Sequence, residues 1–298
     1  MSTVQPPLDG LTFSLAGPGR VGSSLARWLV QSGARLLAVA GTPGSPRAGR
    51  LASELGGRVA GITDIGRDGA ELLLLAVADP VLPEIAAGLA EQAGFRVALH
   101  TSGAQSATAL APLAATGVET GSFHPLKAFT STAHELQEAA RLVVGIDGTP
   151  QALALARRMA EALGATVAEI PPETRRLYHL GATLAAGGVT TLVAAAASLA
   201  HQLDLPNEVA AGYLQLARGA LATADPEHLS HAITGPVARG DRAAVEAALA
   251  DLAERAPELE GLVLALALST LDLLRAAHLD TGQHRELYEA LLARRPSP

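Results

Sequence analysis

The first half of the chain alternates short apolar runs with stretches in which apolar residues recur at helical spacing. The apolar runs predict strands, and LLLLAV within Glu71–Ala78 is typical of a strand buried on both faces of a parallel sheet. The predicted strands are Leu11–Ala16, Arg35–Ala40, Glu71–Ala78, Phe95–His100, Gly117–Phe123, Arg141–Ile146 and Thr166–Ile170, and the helices between them are Arg20–Ser32, Pro46–Leu55, Val81–Gln92 and Pro150–Leu163. Strands that alternate with helices predict a doubly wound α/β domain with a parallel sheet.

The pattern changes after the proline pair Pro171-Pro172. From Glu173 to Arg295 the apolar spacing is helical throughout, with breaks at Leu205-Pro206, Asp225-Pro226, Gly235-Pro236 and Pro257. We therefore predict an α/β domain over residues 1–170 and an all-α domain over residues 171–298. The uncharged stretch Leu180–Ala200 has the length of a membrane span, but it lacks aromatic residues at its ends. We predict a buried helix of a soluble domain here, and no membrane.

Composition and charge exclude several classes of protein. The chain has 298 residues, of which 49% are hydrophobic and 17% charged, so it is long and apolar enough for two cores and is not disordered. The net charge of −7 argues against general nucleic-acid binding. The absence of cysteine excludes disulfides and thiolate metal sites and fits a cytoplasmic protein. The first ten residues lack a signal-peptide pattern, and no metal-binding or Walker motif occurs.

A glycine-rich loop follows the first predicted strand and opens the first predicted helix. Its residues Gly17, Pro18, Gly19, Arg20, Val21 and Gly22 fit the pattern G-x-G-x-x-G. The first glycine allows a tight turn, the second lets a pyrophosphate approach the backbone, and the third lets helix and strand pack closely. The helix N-terminus adds a partial positive charge. We predict a dinucleotide site, with a glycine-rich turn that binds nothing as the alternative.

The residues after the second predicted strand favour NADP over NAD. An NAD site usually carries an acidic residue there for the ribose hydroxyls, but no Asp or Glu occurs between Asp9 and Glu54. Hydroxyl and guanidinium groups suit a phosphate dianion, and they are supplied by Thr42, Ser45, Arg47 and Arg50. A solvated basic start of a helix is the alternative. By topology, the nicotinamide ribose is expected beside Val77, Ala78 and Asp79.

Polar residues at the ends of later apolar runs supply the candidate chemistry. A nicotinamide enzyme needs one proton donor beside the acceptor carbon, and histidine and lysine can serve. Lys127 is the only lysine among 22 basic residues, and it follows His124 in the segment GSFHPLK. The predicted proton donors are His124, Lys127 and His179, and the predicted substrate contacts are His100, Ser102, Thr183 and Arg239. The histidines and Arg239 have structural alternatives: turn, strand-end or helix-end hydrogen bonds for the histidines, and pairing with Asp241 for Arg239.

The ordered motifs GPGRVG, HTSG, FHPL, YH and TGPVARGD, from about Leu11 to Leu274, resemble a family of Rossmann-like proteins with a helical C-terminal domain of unknown function. That family is similar in plan to pyrroline-5-carboxylate reductase, deazaflavin-dependent NADP oxidoreductase and ketopantoate reductase. The resemblance implies NADP binding, a cleft between the domains and a homodimer formed through the C-terminal helices.

The chain departs from this family's pattern at Lys127, where glutamine is more frequent, and at Gly187, where asparagine is usual. It also departs from ketopantoate and β-hydroxyacid reductases, because His179 and Thr183 stand where those enzymes carry a lysine and an asparagine. The sequence thus predicts an NADP-dependent oxidoreductase that transfers a hydride between NADPH and a small carbonyl or imine compound, such as a 2-keto acid related to ketopantoate. An NADP-binding sensor without turnover and an enzyme with a deazaflavin partner are the alternatives.

Overall fold

The computed structural model describes residues 6–129 and 142–294. The chain divides into two compact units, Met1–Ala186 and Gly187–Pro298. The described part of the first unit contains a sheet and helices, and that of the second unit is helical. The fold class predicted from the sequence is therefore confirmed, whereas the domain boundary near residue 170 stays a prediction.

An eight-stranded sheet forms the centre of the first unit. The strand order is β3-β2-β1-β4-β5-β6-β7-β8. Strands β1 to β6 run parallel, β7 runs antiparallel to β6, and β8 runs parallel to β7. The strands are β1 Thr12–Ala16, β2 Arg35–Ala40, β3 Arg58–Ala60, β4 Leu72–Leu75, β5 Val97–His100, β6 Glu119–Pro125, β7 Val143–Gly148 and β8 Thr166–Glu169.

Apart from shifts of one or two residues at strand ends, the sheet differs from the sequence prediction at β3, β4 and β7. Strand β3 was not predicted, because three residues are too few for an apolar pattern. Strand β4 ends at Leu75, whereas we predicted a strand up to Ala78, and residues 76–78 form the loop at its carboxyl end. The fully parallel sheet is wrong at β7, since the direction of a strand cannot be read from its apolar run. Arg141, the first residue of the strand predicted there, lies outside the described residues.

Helices cover both faces of this sheet, as a doubly wound fold requires. In β4, Leu72 and Leu74 pack into one core with Trp28, whereas Leu73 and Leu75 pack into a second core with Leu82. The strand is thus buried on both faces, as its apolar run predicted. The helices of the first unit are α1 Arg20–Gln31, α2 Pro46–Leu55, α3 Leu82–Ala90, α4 Ala111–Ala114, α5 Pro150–Ala162 and α6 Arg175–Thr183.

The second unit has its own apolar core, in which Leu249 of one helix packs with Leu268 and Leu287 of two others. Its helices are α7 Val189–Gln202, α8 Asn207–Ala222, α9 Arg242–Arg255, α10 Glu260–Ala276 and α11 Gly282–Ala293. The breaks before α8, before α9 and before α10 contain the prolines that the sequence pointed to, whereas the break between α10 and α11 contains no proline and was not predicted.

The helical stretch around the uncharged segment is not buried in the single chain. A π-helical segment, Leu184–Gly188, lies between α6 and α7. The stretch Pro172–Gln202 is long and apolar enough to cross a membrane, and none of its most apolar window is buried. Our prediction of a buried helix is therefore wrong for the single chain. Small Ala, Gly and Thr side chains give an apolar surface in which spacing alone does not reveal which face is covered.

Candidate active site

The glycine-rich loop connects β1 to α1 and packs against the end of β4. Gly17 has a φ of +93°, and a Cβ atom there would collide with the carbonyl oxygen of Ala76. A Cβ at Gly22 would collide with the carbonyl oxygen of Gly17 and lie 2.9 Å from the Ala76 Cβ. Gly19 faces open space, with no atom within 4 Å of a Cβ built there. The outer glycines therefore allow close packing, and the middle one leaves room for a ligand.

A cavity of about 460 Å³ begins at this loop and runs past the end of β2. Its apolar wall includes Ile62, Val81 and Ile85, which were not predicted because isolated apolar residues carry no ligand signal. Of the predicted cofactor residues, it is lined by Gly17, Pro18, Gly19, Thr42, Ser45, Arg47, Val77 and Ala78. Arg50 is exposed on α2 and lines neither this cavity nor the adjoining space of about 550 Å³ beyond Thr42 and Ser45.

A second cavity, of about 360 Å³, adjoins the first and shares Gly19, Val77 and Ala78 with it. We call it the imidazole cavity, because two histidine rings face it. Five segments of the first unit line it: Gly19–Val21, Ala76–Asp79, Thr101–Gly103, the residues His124, Pro125, Lys127 and Phe129, and His179. The fold thus brings the three predicted proton donors together with Ser102, Arg20 and Asp79.

The rings of His124 and His179 lie nearly perpendicular, with centroids 5.7 Å apart. A Cβ at Gly103 would lie 2.7 Å from His124 Nε2 and would collide with His179 Nδ1, so both nitrogens converge on one point. His179 Nδ1 is buried without a hydrogen-bond partner in the described part of the chain. Burial, with help from the nearby His179 and Arg175, lowers the pKa of His124 to about 4, and its ring is therefore neutral at pH 7.

Tyr178 was not predicted as a site residue, although it precedes His179 in the sequence. Its hydroxyl lies 2.9 Å from Nδ1 of His124, on the side of the ring away from Gly103. Burial raises the pKa of Tyr178, and the positive charge of Arg175 partly offsets this. The residue pair Tyr-His was visible in the sequence, but the partner of the tyrosine lies 54 positions away.

His100 does not reach either cavity, which departs from the substrate contact that we predicted. Its ring is fully buried, with Nδ1 accepting from the amide of Ser102 at 3.2 Å and Nε2 lying 3.0 Å from the Ser106 carbonyl oxygen. Burial lowers its pKa to about 4. A neutral ring protonated at Nε2 satisfies both bonds, so His100 stabilises the loop that presents Ser102 and Gly103 to the imidazole cavity.

A buried ion pair lies beneath this loop. Arg175 is fully buried, and it donates to Asp147 Oδ1 and to the carbonyl oxygen of Ser102, both at 3.0 Å. Asp147 also accepts from the hydroxyl of Ser122 and, at 2.9 Å, from the amide of Ala107. Burial lowers the pKa of Arg175, and Asp147 opposes this shift. The sequence offered no signal for this pair, since its members lie on different elements 28 positions apart.

Thr183 and Arg239 are the remaining predicted substrate contacts. Thr183 is exposed at the end of α6 and donates its hydroxyl to the carbonyl oxygen of His179 at 3.0 Å. Arg239, in the second unit, is exposed at the end of a short 3₁₀ turn. The carboxylate of Asp241 caps α9 by accepting from the amide of Ala244 at 3.2 Å, which is a structural role for that residue.

Comparisons with known proteins agree with this architecture. Residues 3–125 match the model of a Rossmann-like domain, and residues 142–270 match a domain of unknown function, DUF2520. No curated protein sequence matches this chain significantly.

Solved structures with the same fold include several reductases. A protein of Bacteroides fragilis described as a candidate NADP oxidoreductase is 23% identical, with a TM-score of 0.71 over 89% of this chain and 98% of its own. An imine reductase of Myxococcus stipitatus in complex with NADP⁺ is 16% identical, with a TM-score of 0.60 over 93% and 99%. A 1-pyrroline-5-carboxylate reductase of Streptococcus pyogenes is 16% identical, with a TM-score of 0.57 over 88% and 97%. The chain therefore combines a Rossmann-like domain with a DUF2520 domain, as the resemblance in its motifs implied, in the fold of these oxidoreductases.

Proposed function

We propose that this protein is an NADP-dependent oxidoreductase that transfers a hydride between NADPH and a small carbonyl or imine compound. The observation that carries the proposal is the junction of the two cavities. The cavity that begins at the glycine-rich loop meets the imidazole cavity at Gly19, Val77 and Ala78. A dinucleotide laid along the first cavity reaches the proton donors of the second.

The residues around the first cavity fit the parts of NADP. The open space over Gly19 accommodates a pyrophosphate, which the N-terminus of α1 attracts. Val77, Ala78 and Asp79 adjoin the nicotinamide ribose, and when bound the cofactor supplies the hydride. The loop around the pyrophosphate is Gly17, Pro18, Gly19, Arg20, Val21 and Gly22, and the 2′-phosphate lies nearest to Thr42, Ser45 and Arg47, with Arg50 one turn further along α2.

The imidazole cavity supplies the rest of the reaction. His124 presents Nε2 toward Gly103 and is our first choice of proton donor, followed by Lys127 and His179. The cations Arg20 and Lys127 line this cavity and suit a substrate that carries a carboxylate. A 2-keto acid related to ketopantoate fits this description. A cyclic imine carboxylate fits it too, such as the 1-pyrroline-5-carboxylate for which the Streptococcus pyogenes reductase is named. Arg239 as a holder of the acid group stays a prediction.

The test measures cofactor binding and turnover separately. Calorimetry with NADPH measures binding, and NADPH oxidation is followed across 2-keto acids and cyclic imines. With an active substrate, His124→Ala and Lys127→Met should each lower turnover by at least about 100-fold, the usual contribution of an acid–base group. The exposed His201→Gln is the matched control. Full turnover in both variants rejects the assigned donors, and failure to bind NADPH rejects the function.

A second candidate is an NADP-binding sensor without turnover. It is favoured by His179 and Thr183, which replace the lysine and asparagine of ketopantoate and β-hydroxyacid reductases. Tight NADPH binding without oxidation across the whole panel supports it. Reduction of a deazaflavin by NADPH indicates instead an enzyme that uses that second cofactor.

The proposed assembly is a homodimer in the cytoplasm, formed through the helices of the second unit. Leu216 and Leu221 on α8 and Leu266 and Leu273 on α10 are exposed in the single chain, each by 47% or more. Apolar surface of this kind is typical of faces that a partner covers. The molar mass from light scattering should be about twice the 30.2 kDa of one chain, and a monomer contradicts the proposal.

A further inference from the structure

The hydrogen bond between Tyr178 and His124 joins two elements far apart in the chain. His124 lies near the end of β6, and Tyr178 lies on α6 with its hydroxyl 2.9 Å from Nδ1 of the imidazole. The two rings are nearly perpendicular, at 84°, with centroids 5.5 Å apart. The phenol therefore meets the imidazole edge-on, in the geometry of a directed bond rather than of stacked rings.

A glycine makes room for this contact. Gly145 on β7 is the residue directly opposite His124 across the β6–β7 pair. A Cβ at Gly145 would lie 2.6 Å from the Tyr178 hydroxyl oxygen and 2.9 Å from the carbon that bears it. The hydroxyl thus occupies the space that any other side chain at position 145 would need.

The chemistry of the pair decides which partner donates. At pH 7 the imidazole of His124 is neutral, because burial lowers its pKa to about 4. A phenol is a much stronger acid than a neutral imidazole N–H, so the hydroxyl donates to Nδ1. The ring proton then lies on Nε2, the nitrogen that lies 2.7 Å from a Cβ built at Gly103 in the imidazole cavity.

One nearby charge eases the loss of a proton from Tyr178, against the larger effect of burial, which raises the pKa of the phenol. Arg175 lies one turn before Tyr178 on α6, and its buried guanidinium opposes the effect of burial on the pKa of the phenol. It is held in place by Asp147 on β7. The other titratable groups that act on His124 are His179 on α6, His100 on β5 and Asp79 after β4.

We propose that Tyr178 acts through His124 as a positioning residue and proton source: it fixes the Nε2–H tautomer and replaces the proton that His124 gives to the substrate. This rests on the proposed function. As a hydride from NADPH adds to the acceptor carbon, the double bond opens and its electron pair moves to the oxygen or nitrogen. That atom takes the Nε2 proton, and Nδ1 takes the proton of Tyr178, which leaves a phenolate. After the product leaves, Nε2 takes a proton from water and Nδ1 returns its proton to the phenolate, which restores the starting pair.

The tautomer is measured without turnover, by ¹⁵N NMR of the histidine rings in the full-length protein. His124→Gln identifies the His124 signals by their loss. We expect the wild-type ring to carry its proton on Nε2 and to accept a hydrogen bond at Nδ1. Tyr178→Phe, and independently Gly145→Ala, which retains the hydroxyl but displaces it, should both weaken this preference. A wild-type ring protonated at Nδ1, or unchanged His124 signals in both variants, overturns the proposal.

Turnover then tests the proton supply. With a substrate from the panel, Tyr178→Phe should lower kcat by about 100-fold, the low end of the contribution of a general acid, with little change in KM. Tyr288→Phe, whose ring stacks on Arg275 without needing its hydroxyl, is the matched control. An unchanged kcat in Tyr178→Phe overturns the proton supply. A wild-type protein that oxidises no NADPH rejects the proposed function, while the tautomer is still decided by NMR.

Discussion

The two adjoining cavities of the first unit are assembled from the sequence in different ways. The first is dominated by consecutive residues, those of the glycine-rich loop and of the segment after β2. The imidazole cavity takes short groups of one to four residues from five segments spread between Gly19 and His179. A contiguous motif can be recognised in a sequence because its spacing is fixed by the chain, whereas a cluster of distant residues is defined only by the fold.

The cavities also differ in how their charges are held. Arg47 beside the first cavity is exposed and shares its environment with water. Around the imidazole cavity, His100, Arg175 and Asp147 are buried and bonded to one another or to the loop at Ser102. Water screens exposed charges, so replacing an exposed charged side chain changes the free energy of unfolding little. A buried polar or charged group that loses its partner lowers the free energy of unfolding much more. Variants around the imidazole cavity should therefore mainly lower stability by large amounts, and variants around the first cavity should have smaller effects that fall mainly on NADPH binding.

The largest expected effect follows removal of the buried guanidinium. Arg175→Met leaves the negative charge of Asp147 buried without its positive partner. It also removes the hydrogen bond to the carbonyl oxygen of Ser102. Loss of one partner of a buried ion pair typically costs 3–5 kcal/mol, so we expect about 4 kcal/mol less free energy of unfolding in urea titrations. Arg176→Met, at the exposed neighbouring position, should change it by less than about 0.5 kcal/mol.

Replacing both partners tests the origin of that loss. In Arg175→Met/Asp147→Leu no charge is left unpaired, although Ser122 and Ala107 lose their acceptor. We expect part of the stability to return in the double variant. If the double variant loses as much free energy of unfolding as the two single variants together, the two side chains stabilise the fold by packing and not by the pairing of their charges.

The second effect is a loss of stability in acid. Burial lowers the pKa of His124 to about 4 as well, so both histidines contribute, and the test isolates the share of His100. Its pKa is about 4 in the folded chain and 6.5 when unperturbed, so between these pH values the unfolded state binds a proton that the folded state does not. Stability is then present in full above pH 6.5 and falls as the pH drops toward 4, by about 3 kcal/mol. Urea titrations at pH 7 and pH 4.5 should show a smaller drop in His100→Gln than in the wild type. Equal losses of stability in the two proteins contradict the lowered pKa of His100.

The sequence predicted the cofactor loop and most of the strand positions. It did not predict the buried hydrogen bonds and the ion pair that hold the imidazole cavity together. Periodicity identified β4 and the helices around it, because a strand buried on two faces and an amphipathic helix both leave local patterns. His100 was assigned to the substrate since it ends a strand, yet its ring bonds are within its own loop. Tyr178 and Arg175 were missed because their partners, His124 and Asp147, come from other elements.

A third effect separates packing from binding within the glycine-rich loop. Gly22→Ala forces the new Cβ against the carbonyl oxygen of Gly17, and we expect a loss of about 1–3 kcal/mol in the free energy of unfolding. Gly19→Ala meets no protein atom, so its melting temperature should stay near that of the wild type. It should nonetheless weaken NADPH binding by at least about tenfold, because its Cβ occupies the space of the pyrophosphate. Equal stability losses in both variants contradict this division.

The smallest effect compares two arginines on α2 that the sequence treated as equivalent. Arg47 lines the first cavity with Thr42 and Ser45, whereas Arg50 lines none of the cavities described for the first unit. Arg47→Leu should weaken NADPH binding by about tenfold, or 1.4 kcal/mol, and leave NADH binding unchanged, because NADH lacks the 2′-phosphate. Arg50→Leu should change NADPH binding less. Since the guanidinium of Arg47 is exposed, added salt should narrow the difference between wild type and Arg47→Leu. Equal losses in the two variants, or an equal loss of NADH binding in Arg47→Leu, would mean that the phosphate is recognised by the general positive charge of α2 and not by the cavity.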